Sequence, residues 1–534
     1  QLKKYEGLFE KYFLKSFTSR LTDYSDPKIS VLSADVVSEK YTVVKTMLVK
    51  TDKKPDIHQR VGLFLGPFTA VGMTFMETPE GMSAVAFKVA IMGILMAIWW
   101  ATEAVPIAVT AMLPLVLFPL FGVSSIQEAA TPFANKVIYL FLGGFIVAFA
   151  MQRWNLHKRI ALTILQYVGG NGKSLVGGFM FVSAALSMWV MNTSTTMMLL
   201  PIAISVITVI HSTNKHISNR EKEDFQYSIL LGIAYASTIG GMSTLVGTAP
   251  NAMMAAFLLE TYEIQINFSE WMLIGIPLSC VMVPLAWLSL TKWVFHVNFK
   301  TNHSGQESLR IMKNDLGVIS KPEIRVGIVF LIMALAWILR PLLIKISFLS
   351  GLDDSSIAMA GAILLFIIPS GDKGDPLLLR WEHLSNLPWS ILILFGGGLS
   401  LATAVSNSGL AGWIGSNLSS VGSLPLPLLV MSIAIMIIFL TELTSNIATT
   451  ATFLPVIGAI AIEMGINPII LAAPVTLAAS CAFMLPVATP PNAIVFGSGL
   501  LRIPRMIKAG IALNLIGIII VTTLSITLVP FILG

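Results

Sequence analysis

From residue 61 to its end, this chain is a succession of long apolar stretches, and nothing else limits its possible folds so severely. A helix needs roughly 20 apolar residues to cross the ~30 Å hydrocarbon core of a bilayer. Inside lipid every backbone polar group must be paired within the protein, so long runs without alternation read as helices. Spanning segments are predicted at 61–78, 84–101, 104–122, 133–152, 228–258, 271–296, 325–343, 356–370, 388–407, 468–500 and 508–532. Charge supports the reading. Only 12% of the residues are charged and the mean hydropathy is +0.81, whereas soluble domains carry about 25% charged residues. Of the 62 charged side chains, 20 lie in residues 1–60. A soluble enzyme, a disordered protein and a nucleic-acid binder are excluded. Cys280 and Cys481 sit in apolar stretches and supply neither a disulfide framework nor a metal cluster.

Basic residues set the orientation, since cytoplasmic loops are enriched in Lys and Arg. With a cytoplasmic N-terminal segment (1–60, which lacks the pattern of a signal peptide), the inside connections hold Arg153, Lys158, Arg159 and Lys173, then Lys215, Arg220 and Lys222. They continue with Lys300, Arg310, Lys313 and Lys321, then Lys373 and Arg380, and finally Arg502, Arg505 and Lys508. Lys88, Lys136, Arg340 and Lys345 are exceptions near helix ends, where long side chains snorkel. Eleven spans and an outside C-terminus satisfy this distribution only if 174–210 and 425–462 each enter and leave on one side. Both are therefore expected to be re-entrant hairpins.

A set of motifs recurs in the same order. The first half contains Phe141-Leu-Gly-Gly144, Ser187-Met-Trp-Val-Met-Asn-Thr-Ser-Thr-Thr196 and Gly247-Thr-Ala-Pro-Asn251. The second contains Leu394-Phe-Gly-Gly-Gly398, Thr441-Glu-Leu-Thr-Ser-Asn-Ile-Ala-Thr-Thr450 and Ala488-Thr-Pro-Pro-Asn492. An odd number of spans separates the two hairpins, so the second copy is inverted. Inverted repeats with paired broken helices are the signature of a secondary transporter whose site lies where the repeats meet. The expected organisation is an N-terminal segment (1–60), one span plus a first repeat (61–296), a linker (297–324) and a second repeat (325–534).

Each cluster has a physical use. Prolines in an apolar segment remove backbone donors, and breaks at membrane depth survive only beside protein or a wet cavity. Unwound backbone offers carbonyl oxygens, the ligands that hard cations such as sodium prefer. The polar tips precede helical runs, and the N-terminus of a half-helix attracts an anion. No Lys or Arg lies in the motifs, which points to recognition by dipoles, amides, hydroxyls and co-bound cations. Glu442, beside the second tip, suits either ion coupling or bonding to loop N–H groups; Glu103 reads as an interfacial anchor. Gly169-Gly-Asn-Gly-Lys-Ser174 mimics a phosphate-binding loop, but Tyr167 stands where its first glycine belongs and no strand precedes it.

At these residues the chain resembles the divalent anion–sodium symporter (DASS) family, transporters of di- and tricarboxylates and sulfate. The resemblance covers about 61–534 and rests on the paired Ser-Asn-Thr-like tips and the Thr-Pro-Pro-Asn-like breaks. It implies an all-α polytopic membrane protein: eleven transmembrane helices in two inverted repeats, two re-entrant hairpins and two discontinuous helices. It further implies a homodimer working as an elevator. Carried over residue by residue, one sodium site uses Ser187, Asn192 and the backbone at Gly247. The other uses Thr441, Thr444, Asn446 and the backbone at Ala488. Substrate contacts fall to Asn192, Thr193, Thr248, Ser445, Asn446 and Thr489, with Pro490 shaping the pocket. This chain departs from the pattern in having Met191, Ile447 and Ala249 at motif positions. The expected activity is sodium-coupled symport of C4-dicarboxylates (succinate, malate, fumarate) and citrate, across a bacterial inner membrane. The alternatives are sodium-independent carboxylate exchange and sulfate transport. Enzymatic activity is not expected, because no Ser–His pair or HExxH motif occurs in the clusters.

Overall fold

The computed structural model describes residues 57–214, 217–299, 304–372, 374–417 and 424–533. Most of the N-terminal segment, with its expected cytoplasmic placement, lies outside them. Every named element among these residues is helical. Eight helices are long and apolar enough to span a bilayer, among them Ala84–Thr102, Lys136–Arg153, Phe268–Trp293, Lys321–Leu343, Trp389–Asn407 and Ile503–Leu533.

Both expected hairpins consist of two helices joined by a four-residue tip. The first comprises Gly172–Ser187 and Asn192–Thr213, the second Leu426–Thr441 and Asn446–Glu463. Each is followed by a broken helix. Asn219–Gly241 resumes as Ala249–Tyr262, and Ile469–Ala479 resumes as Pro490–Gly497. Both arms of each hairpin pack against the first half of the broken helix that follows. The second half of the first broken helix crosses to the other repeat and packs on Asn446–Glu463, Ile469–Ala479 and Trp389–Asn407. Tyr235 meets Phe483 edge to face with centroids 5.2 Å apart, joining the two broken helices near their breaks. Trp189, in the first tip, stacks on Phe268 (6.0 Å) and Trp337 (6.4 Å), which fixes that tip against the 321–343 helix. Such aromatic pairs contribute ~0.5–1.5 kcal/mol each beyond their buried area.

The glycine pairs of the repeated motif lie mid-helix and serve packing. A Cβ on Gly143 would come within 2.6 Å of the Ala358 backbone, and one on Gly397 within 2.0 Å of the Ala111 carbonyl. The phosphate-loop mimic is a helix start, where Asn171 Oδ1 accepts from the Ser174 N–H at 2.7 Å.

Short amphipathic helices fill the connections. Leu156–Leu165 buries His157, whose Nδ1 faces the Met151 carbonyl at 3.1 Å. Its Arg159 forms a largely buried ion pair with Glu323 (2.7 Å) and donates to the Gly317 carbonyl. The 297–324 linker contains a helix, Ser304–Asn314, that packs against the first hairpin. Lys136 and Arg340 do not snorkel. Lys136 pairs with Asp353 at 3.1 Å and Arg340 with Asp354 at 3.4 Å, so both exceptions to the charge rule are neutralised within the protein. Lys88 donates to the Phe121 carbonyl.

Candidate functional site

The two hairpin tips face the two breaks, and the same contacts occur in both halves. In the first, Ser187 Oγ lies 2.6 Å from Asn192 Oδ1. In the second, Thr441 Oγ1 lies 2.9 Å from Asn446 Oδ1 and 3.1 Å from the Ala479 carbonyl. The Asn192 amide also faces the carbonyls of Ser237 and Gly247. Turned to present its nitrogen, it donates to Ser187 Oγ (2.6 Å), Ser237 O (3.1 Å) and Gly247 O (3.2 Å). Turned to present its oxygen, it completes a ring of neutral oxygens, the donor set of a hard monovalent cation. Glycine is required for this approach. A Cβ on Gly241 would sit 2.5 Å from Asn192 Oδ1, and one on Gly247 2.3 Å from the Gly241 carbonyl. The described residues hold no cluster of three His, Cys, Asp or Glu side chains that would suit a transition metal.

The unwound segments are held open by two asparagines that sequence reasoning left without a role. Asn251 Nδ2 donates to the carbonyls of Gly241 (3.5 Å), Met242 (3.2 Å) and Thr244 (2.8 Å). Asn492 Nδ2 donates to those of Ala482 (3.2 Å) and Leu485 (3.1 Å). In each repeat the asparagine reaches back ten and seven residues. An unwound segment leaves carbonyls without helical partners, and each clamp satisfies some of them while leaving others for a ligand. The constant spacing of the two asparagines within their motifs was the available signal.

Glu442 is buried, and its carboxylate accepts from the N–H groups of Phe483 (2.8 Å), Met484 (2.9 Å) and Leu485 (3.0 Å) and from Asn514 Nδ2 (2.7 Å). Of its two expected uses, bonding to the loop is the one the geometry displays. Glu103 is a left-handed C-cap on Ala84–Thr102.

The helix starts at the tips and at the first break lack the side-chain caps found at several helix starts elsewhere. Ser83, Ser125, Ser218, Ser320 and Asp353 each cap a helix with their own side chain. Ser445 and Thr248, equally able to cap, do not, and Met191 has no hydroxyl to offer. Helix initiation falls at Asn192 and Asn446 themselves, which makes Met191 and Ser445 the N-cap residues. The hydroxyls of Thr193, Thr248 and Ser445 make no hydrogen bond among the described residues. Thr489, buried, accepts from the Asn492 N–H at 3.3 Å, and Pro490 is exposed. Thr444 lies in the second tip, two residues before Asn446. Its hydroxyl donates to the Leu440 carbonyl and pairs with Thr449, along the hairpin. Ala488 is buried in the second break, with its N–H donating to the Leu485 carbonyl.

Residues 58–532 match the family described as the sodium:sulfate symporter transmembrane region. The chain belongs to this family. Among its relatives, the sodium-dependent dicarboxylate transporter SdcS of Staphylococcus saprophyticus is 39% identical over 489 residues, 91% of this chain and 94% of that protein. SdcS of Staphylococcus aureus strain USA300 is 38% identical over 504 residues, 93% and 96% of the two chains. The crystal structure of the Alcanivorax borkumensis YdaH transporter covers 89% of this chain and 97% of its own, with a TM-score of 0.51 at 12% identity. That likeness concerns the fold alone. This family member is an integral membrane transporter.

Proposed function

We propose that the chain takes up C4-dicarboxylates such as succinate, malate and fumarate by sodium-coupled symport. The observation that carries this reading is the set of uncapped helix starts at Asn192, Ala249 and Asn446, beside the unengaged hydroxyls of Thr193, Thr248 and Ser445. Free N–H groups at helix N-termini, flanked by hydroxyl donors, suit carboxylates. Two such half-sites suit an anion with a carboxylate at each end. The oxygen set at Ser187, Asn192, Ser237 and Gly247, with its counterpart at Thr441 and Asn446, suits one sodium ion each. With no Lys or Arg in these motifs, the cations offset the substrate's charge, so sodium and dicarboxylate bind cooperatively. Met191 takes part through its backbone, because the hydroxyl expected there is absent. The names of the staphylococcal relatives agree with both sodium and dicarboxylate.

In this reading the repeats at 61–296 and 325–534 are inverted, the N-terminus is cytoplasmic and the C-terminus outside. The protein is a homodimer in a bacterial inner membrane, and an elevator movement carries the site across. The test is labelled succinate uptake into proteoliposomes. The expected result is concentrative uptake into empty vesicles that collapses when choline replaces sodium. Asn192→Ala and Asn446→Ala are each expected to lower uptake at least 100-fold while the protein remains folded in detergent. Uptake confined to preloaded vesicles and indifferent to sodium would show an exchanger instead.

A further inference from the structure

We infer that Glu442 is a positioning residue that makes the second cation site the stronger of the two. This rests on the symport reading above. The two half-sites share their tip asparagines and asparagine clamps, and among the positions where the tips differ one replaces an apolar side chain by an acidic one. Where the second tip has Glu442, the first has Met188. The first segment is tied to its tip by neutral groups, with Thr244 Oγ1 donating to the Met188 carbonyl (2.6 Å) and accepting from the Gly247 N–H (3.0 Å). The second is tied by a carboxylate that gathers three consecutive N–H groups, 483–485, and is itself held by Asn514 from the 503–533 helix.

Two consequences follow for the second site. Asn492 pins segment 482–485 from its carbonyl side and Glu442 pins it from its N–H side, so the stretch leading to Ala488 is fixed from both directions. The carboxylate also adjoins Thr441, whose hydroxyl contacts Asn446. Charge interactions at this depth are screened far less than at the surface. A fixed negative charge therefore favours a cation here. The first break is pinned by neutral groups only, from its carbonyl side by Asn251 and at one N–H by Thr244, so the first site lacks the charge and depends on the anionic substrate for it. Sodium accordingly occupies the second site first, and the first site fills together with the dicarboxylate.

The test uses wild-type, Glu442→Gln and Asn514→Ala proteins in proteoliposomes, with succinate uptake measured against sodium concentration. Gln keeps the shape of Glu442 but replaces one oxygen by an NH2 group facing donors. Expected for E442Q are a half-saturating sodium concentration at least tenfold higher and a flatter sodium dependence. The succinate KM at saturating sodium should change less than threefold. N514A keeps the charge but loosens its support, so a rise of about threefold is expected. It decides the matter should E442Q fail to assemble. Unchanged sodium dependence in both variants would overturn the inference, as would equal losses of sodium and succinate affinity, which mark a merely structural residue. Sodium-independent uptake by the wild type would instead overturn the symport reading and the inference with it.

Discussion

Single residues in this chain are often set by what lies behind them. Burial depresses the imidazole of His157 to about 4, against the pull of its contact with the Met151 carbonyl and with help from Lys158. The side chain is therefore neutral in the fold and charged in the unfolded chain below about pH 6.5. Stability from this group is complete above pH 6.5 and declines as pH falls toward 4, by ~1.4 kcal/mol per unit. Thermal unfolding in detergent should show a loss between pH 7 and 5 that is about 2 kcal/mol smaller in His157→Gln than in the wild type. Equal losses would remove His157 as a contributor. The sequence showed the chemically rich residues but not all their partners. Asn192 and Asn446 were legible because each stands in a polar run inside an apolar segment. The bond of Thr444 to the Leu440 carbonyl was not legible, because a hydroxyl's direction depends on its rotamer, which spacing does not specify.

At the scale of elements, the hairpins and breaks were readable because lipid forbids unpaired backbone, so any run of prolines and polar residues must mark a protein-lined interruption. The packing glycines were less so. A Gly-Gly pair in a helix serves a helix contact or a break equally well, and only the approach of Ala358 and Ala111 distinguishes them. The amphipathic helices of the connections carry too few apolar residues to stand out beside the spans. The asparagine clamps give a prediction at this scale. Asn492→Ala would leave the Ala482 carbonyl without the Asn492 donor, at ~1–3 kcal/mol, and the Leu485 carbonyl with the Ala488 N–H alone. Both the unfolding midpoint and sodium-driven uptake should fall, and Asn251→Ala should act alike. A variant that keeps wild-type stability and uptake would show that the breaks hold their shape unaided.

Across the whole molecule, the all-helical architecture and the succession of long apolar helices followed from hydropathy, because it is a sum over many residues. The pairing of Lys136 with Asp353 was hidden because the two lie far apart in sequence, and that of Arg340 with Asp354 because the turn between their helices sets it. So was the packing of Ala249–Tyr262 on Asn446–Glu463, Ile469–Ala479 and Trp389–Asn407. The lack of Lys and Arg in the repeated motifs has an electrical consequence. In the proposed symport, with one sodium ion at each half-site, a dicarboxylate with two negative charges and two sodium ions would cross as a neutral load, and the charge of Glu442 would make the same journey out and back. Membrane voltage then does no net work over a cycle, so uptake under clamped potential should be silent and indifferent to valinomycin. An inward current that scales with succinate flux would count the cations carried beyond two.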